Sequence, residues 1–154
     1  MKLVYSLMFV WFLSGCATIP VIPPEDKVME IKHDVNLSKS DVYKKTLEFI
    51  AKRTPNQKES VEFKDREDGK IVFRGMTSFY KYPSDVPCMF IMTVDIKDGK
   101  YKILYERFIG YYGRNKNKMR ELNGYGWIAQ VRNKLIKFDQ ELFDFINNDN
   151  AKDW

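Results

Sequence analysis

The run from Cys88 to Ile109 constrains this chain most. Cys88, Phe90, Met92, Val94 and Ile96 recur at every second position, the period of a strand with one buried face. Asp98-Gly99 follows, a pair suited to a two-residue hairpin turn because both residues tolerate left-handed backbone angles. Tyr101 to Ile109, rich in Tyr, Ile and Phe, is then the returning strand. The hairpin makes the sheet antiparallel, and its apolar side calls for a covering layer.

The flanking sequence supplies both. Met29, Ile31, His33 and Val35 alternate with Glu30, Lys32 and Asp34, which predicts a half-buried first strand. Ser38 opens a helix, with Asp41 placed to close a capping box. Its inner face is Val42, Tyr43, Thr46, Leu47, Phe49 and Ile50, and it ends before Thr54-Pro55. Ser60 to Arg66 and Ile71 to Phe79 form a second hairpin around Glu67-Asp68-Gly69, followed by a proline-bearing loop, Lys81 to Pro87. Gly110 to Gly126 is expected as a long loop, with a short helical turn near Met119 to Leu122. From Trp127 a second helix runs to about Asn148, its seam made by Ile128, Val131, Leu135, Phe138, Leu142 and Phe145. The order β-α-β-β-β-β-α predicts an α+β two-layer sandwich: a mostly antiparallel five-stranded sheet with both helices on one face.

From Val28 to Phe108 the chain resembles a domain of unknown function found in bacterial lipoproteins, with a TATA-binding-protein-like fold. The features that carry the resemblance are the Ser38 to Arg53 helix, Glu67-Asp68-Gly69-Lys70-Ile71-Val72 and Asp95-Ile96-Lys97-Asp98-Gly99-Lys100-Tyr101. The resemblance implies a fold and carries no implication of DNA binding, since a fold does not fix a function.

The first residues are an address. Lys2 is a basic start and Leu3 to Leu13 is apolar but for Ser6. That run is shorter than the roughly 20 apolar residues a bilayer-spanning helix needs, and fits an export signal. Leu13-Ser14-Gly15-Cys16 resembles the lipobox of bacterial lipoproteins. It implies recognition of Leu13, Ser14 and Gly15 by a signal peptidase, cleavage before Cys16, and diacylglycerol with a further chain such as palmitate on Cys16. Two or three acyl chains hold firmly where one is marginal, because each buried methylene contributes about 0.8 kcal/mol. Ala17, where Asp often marks inner-membrane retention, points to the outer membrane and its periplasmic face; the inner membrane and the cell surface stay open. The expected organisation is a cleaved signal (1–15), a proline-rich tether (16–26), one α+β domain (27–148) and a polar tail (149–154).

Loss of residues 1–15 removes one base, Lys2, and no acid, so the formal charge falls from +5 to +4. That excess suits anionic lipid heads or an acidic protein and is too small to argue for nucleic acid. A lipidated Cys16 leaves Cys88 with no partner for a disulfide. Cys88 reads as a buried small hydrophobe and His33, the single histidine, as a hydrogen-bonded structural residue. Glu62, Asp65, Glu67, Asp68, Asp95 and Asp98 cluster at turns and are explained as turn chemistry. No hydrolase, zinc, P-loop or nucleotide fingerprint occurs, so no catalytic residue, metal or cofactor is expected.

Arg114, Lys116, Lys118 and Arg120, flanked by Tyr111, Tyr112, Tyr125 and Trp127, form the candidate contact with an anionic surface. A solvated loop explains the same charges equally well. The seam of the last helix is too short for a coiled coil, which favours a monomer over a dimer. The expected function is a lipid-anchored, non-enzymatic binding or structural module of the envelope. The alternative is an inhibitor, immunity or exclusion lipoprotein that blocks a toxin, a cell-wall lytic enzyme or a phage. An envelope hydrolase using surface carboxylates is a third class.

Overall fold

In the computed structural model the chain is described over residues 23–53, 60–113 and 117–148. The export signal, its cleavage site and the polar tail lie outside those residues. A 3-10 turn (Pro24–Lys27) leads into β1 (Met29–Asp34), α1 (Lys39–Arg53), β2 (Val61–Asp65), β3 (Lys70–Lys81), β4 (Ser84–Lys97), β5 (Lys100–Tyr112), β6 (Lys118–Glu121) and α2 (Tyr125–Asn147). The α+β sandwich and element order are as expected, with one strand more than the five predicted. The sheet runs β1-β5-β4-β3-β2, and β6 pairs with β5; every pairing is antiparallel.

The additional strand corrects the expected Gly110 to Gly126 loop. β5 continues to Tyr112, and Lys118 to Glu121 returns alongside it from Tyr112↔Lys118 to Ile109↔Glu121. β1 pairs with β5 from Met29↔Tyr105 to Asp34↔Lys100. β4 holds the other side of β5, so β1 and β6 share one edge end to end. All four residues of β6 are exposed, so no apolar period announces it.

A bulge in β5 makes this length of strand fit the core. The register slips between Met89↔Ile109 and Ile91↔Glu106, and Arg107 takes a φ of 57°. Tyr101, Ile103 and Tyr105 face inward before the bulge; Phe108 faces inward after it. One extra residue thus resets the parity of the strand. β2 has a similar slip between Val61 and Phe63, which turns Phe63 outward, 50% exposed.

The expected Lys81 to Pro87 loop is also shorter. β3 and β4 pair up to Lys81↔Ser84, leaving only Tyr82-Pro83, a cis peptide, as the turn. Pro87 therefore lies inside β4. It is tolerated because pairing with β5 begins at Cys88, so no ladder bond from residue 87 is needed on that side.

The core lies between the sheet and both helices. Val86, Cys88, Phe90, Met92, Val94 and Ile96 of β4 are buried against Val42, Phe49 and Ile50 of α1 and Val131, Leu135 and Leu142 of α2. Each such side chain contributes roughly 1.5–3 kcal/mol when fully buried. Ser38 Oγ accepts from the Asp41 N–H (3.2 Å) and donates to its carboxylate (2.7 Å). Asp98 Oδ1, in the β4–β5 turn, accepts the Lys39 N–H at 2.8 Å. That turn therefore caps α1 as well as reversing the chain. Among the described residues, the buried core runs from Val35 to Ile146.

Candidate functional site

β6, the β3–β4 turn and the N-terminus of α2 converge at one end of the sandwich. Lys118 and Arg120, paired across from Tyr112 and Gly110, are exposed there. With Lys81, Tyr112, Glu121 and Trp127 they line a recess of about 470 Å3. Lys81 Nζ sits 4.5 Å from the Trp127 ring centre and 5.1 Å from that of Tyr112, within cation–π range. Phe79, fully buried, backs both rings at 5.6 and 6.2 Å. Gly124 is needed for this packing, since a Cβ there would stand 2.7 Å from the Trp127 ring. Burial raises the Tyr112 phenol above its ordinary pKa, and the Arg120 charge pulls it back.

The chain enters the fold beside this recess. Lys27 Nζ pairs with Glu121 at 3.3 Å and donates to Asn123 Oδ1 at 3.0 Å. Arg132 of α2 donates to the carbonyls of Asp26 (2.6 Å) and Val28 (2.9 Å). Lys118 and Arg120 are thus brought together with Tyr112 and Trp127 as the sequence suggested. Tyr111 belongs to the opposite side of β5, paired with Met119. Arg114 and Lys116, like Leu13, Ser14, Gly15 and Cys16, lie outside the described residues. Lys81 and Lys27 escaped the sequence reading because only sheet pairing brings them to β6.

A second polar cluster is internal. His33 Nε2 lies 2.8 Å from Asp139 Oδ2, and the His33 ring packs at 4.7 Å on Phe143 and 4.9 Å on Tyr101. Burial raises the Asp139 carboxyl above its ordinary pKa, and the bond and charge of His33 oppose that rise. Asp139 Oδ1 and the hydroxyls of Tyr101 and Tyr105 are buried with no hydrogen-bond partner. Burial, then the Asp139 charge, drives both phenols upward, so neither is a base. Asp139 occupies the seam of α2 that Phe138 was expected to fill. The buried set is Ile128, Val131, Leu135, Asp139, Leu142 and Ile146. An acid four residues after Leu135 and three before Leu142 was the available signal.

The remaining candidates are structural. Cys88 is fully buried, which pushes its thiol up to about 12. Asp65 Oδ1 accepts the Asp68 N–H, Glu62 pairs with Arg74, and Asp95 lies 3.8 Å from Lys102. Among the described residues no group of three or more His, Cys, Asp or Glu could hold a metal ion.

Among the described residues no layer covers the sheet face away from the helices. The register places Val72 and Met76 of β3, Met89 and Ile91 of β4, and Leu104 and Ile109 of β5 on it. Toward one end the same face carries Glu30, Lys32, Lys102, Asp95, Lys70 and Asp65: Lys32 stands opposite Lys102, and the pairs Lys102↔Asp95, Asp95↔Lys70 and Lys70↔Asp65 are each of opposite sign.

Residues 30–109, more than half of the chain, match the family described as a domain of unknown function (DUF4468) with TBP-like fold. A TBP-like protein from Parabacteroides distasonis superposes with a TM-score of 0.65 at 12% identity, covering 79% of this chain and 92% of that one. A DUF4468 family protein from Bacteroides ovatus superposes with a TM-score of 0.57 at 18% identity, covering 82% and 87%. No curated protein matches the sequence. At these identities the two structures speak for the fold alone, while the sequence match carries membership: the chain belongs to the DUF4468 family of domains with a TBP-like fold.

Proposed function

We propose that this protein is a lipid-anchored, non-enzymatic binding module of the bacterial envelope, held by Cys16 and presenting its helix-free sheet face to an envelope protein. The partly exposed apolar side chains of that face carry the reading. Met76 is 60% exposed at its margin, and Val72, Met89, Leu104 and Ile109, each half-buried, extend it across three strands, while Ile91, only 7% exposed, lies between Arg74 and Glu106. Exposed apolar patches of this kind, rimmed by polar residues, mark protein contacts. The rim argues for protein over nucleic acid, because Glu30 and Asp95 interrupt Lys32, Lys102 and Lys70, which therefore present no continuous positive track to a phosphate backbone. The Leu13 to Cys16 motif supports the anchor. The outer membrane, on its periplasmic face, is the proposed location.

A photo-crosslinking side chain in place of Met89, compared with one in place of exposed Lys44 on α1, tests the reading in cells. A discrete protein adduct from position 89 alone, abolished by Leu104→Arg, is the expected result. Adducts from both positions, or from neither, would overturn it. Incorporation of labelled palmitate, lost in Cys16→Ser, tests the anchor separately.

A further inference from the structure

We infer that the end of the domain carrying the Lys81–Lys118–Arg120 recess is its membrane-contact face, and that the recess receives the phosphate of an anionic phospholipid head group. The inference rests on the anchor proposed above and assigns the domain an orientation on the surface that holds it.

Charge and aromatic content single out this end. Lys81, Lys118 and Arg120 are exposed around the recess, and its one acid, Glu121, is engaged by Lys27. Asp85, beyond the β3–β4 turn, is the other acid nearby. Tyr80 (51% exposed) at the end of β3, Tyr82 (85%) in the β3–β4 turn and Tyr125 (46%) at the start of α2 are exposed at this end, and Tyr112 and Trp127 line the recess. Amphipathic aromatics beside cations suit the layer of lipid head groups, where one end of each ring is wet and the other apolar. The opposite end, at the β4–β5 turn, sets Lys32, Lys97, Lys100 and Lys102 against three acids, Asp34, Asp68 and Asp95, and has no comparable aromatic rim.

Geometry agrees. The residues between Cys16 and the 3-10 turn reach at most about 25 Å when fully extended. β4, at 14 residues, is about 45 Å long by strand rise. A tether shorter than the sheet brings its own end of the domain to the surface first. That end is the recess, because Lys27, at the root of the tether, is bonded to Glu121 and Asn123. Lys81, held over two rings, keeps its ammonium at the mouth without needing a carboxylate partner.

The test uses the chain from residue 16 onward carrying Cys16→Ser, which retains the whole described core but no lipid. Flotation with vesicles of phosphatidylglycerol and phosphatidylcholine is compared with flotation on phosphatidylcholine alone. The expected result is partition onto the anionic vesicles only, weakened by salt. Each cation near such a surface contributes about 1 kcal/mol, so Lys118→Ala/Arg120→Ala should lower partition on the order of 30-fold. Lys97→Ala/Lys100→Ala at the far end should leave it within about twofold. Equal partition onto both vesicle types, equal losses in the two double variants, or displacement by inorganic phosphate at matched ionic strength would each overturn the inference. Because this chain bears no lipid, failure here is distinct from failure of palmitate labelling.

Discussion

His33 Nε2 and Asp139 Oδ2, 2.8 Å apart, tie the edge strand β1 to the middle of α2. The pair is nearly out of solvent, with side-chain exposures of 15% and 5%. Removing one partner of such a pair leaves the other charge uncompensated, so His33→Ala is expected to cost about 3 kcal/mol. The pH dependence follows from Asp139, whose carboxyl burial raises and His33 lowers. A raised folded pKa gives a contribution fully present below the unfolded value and lost as pH rises through the folded one. Without His33 the rise is larger, so the gap between wild type and variant should widen from about pH 4 toward neutrality. Urea unfolding at successive pH values measures that gap, and a constant gap would contradict the assignment.

Much of this fold could be read from alternation alone, and the exceptions share a cause. The inward residues of β4, the inner face of α1 and the Asp98-Gly99 turn are local patterns, and the structure keeps them. β6 could not be read so, because an exposed edge strand has no buried face to impose a period. The bulges at Arg107 and before Phe63 are set by neighbouring strands, so they shift parity where the sequence runs on unmarked. The recess was legible in part. Lys118, Arg120, Tyr112 and Trp127 were near one another in sequence, whereas Lys81 and Lys27 arrive through the β3–β4–β5 meander and the β1 edge.

Cys88 is predicted to be silent toward thiol reagents in the folded protein. It is fully buried between strands, and burial pushes its thiol up to about 12. At about pH 8 only on the order of one part in ten thousand is thiolate. In the Cys16→Ser chain, a thiol-reactive dye should label nothing under native conditions and one site in urea. Rapid native labelling would show that the β4 face opens far more readily than its packing implies.

Two glycines should respond with opposite signs. Gly69 has a φ of 69°, and a Cβ there would stand 2.4 Å from the Ile96 carbonyl oxygen, which accepts no displacement without moving β4. Gly69→Ala is expected to cost about 2 kcal/mol or more, combining backbone strain with that clash. Gly126, in the first turn of α2, has nothing within 4 Å of such a Cβ. Gly126→Ala should be neutral or stabilising by up to about 1 kcal/mol through helix propensity. Thermal unfolding of the two variants side by side decides it, and similar shifts would refute the contrast.

Gln130 is predicted to guard the exposed edge of the sheet. Among the described residues β2 pairs with β3 only as far as Phe73, and none of them supplies a strand beside Arg74 to Lys81 on that side. An uncovered edge of this length is a template for pairing between chains. The Gln130 amide meets it: its oxygen accepts the Tyr80 N–H at 2.8 Å, and its nitrogen donates to the Tyr80 carbonyl at 3.4 Å. One side chain thus imitates one residue of a neighbouring strand. Gln130→Ala should cost about 1 kcal/mol, speed amide exchange at Tyr80 selectively, and make the protein self-associate more readily at high concentration. Hydrogen exchange resolved to single residues reads the first effect directly. Unchanged protection at Tyr80 would mean that the edge is shielded by the bulk of α2 and not by this bond.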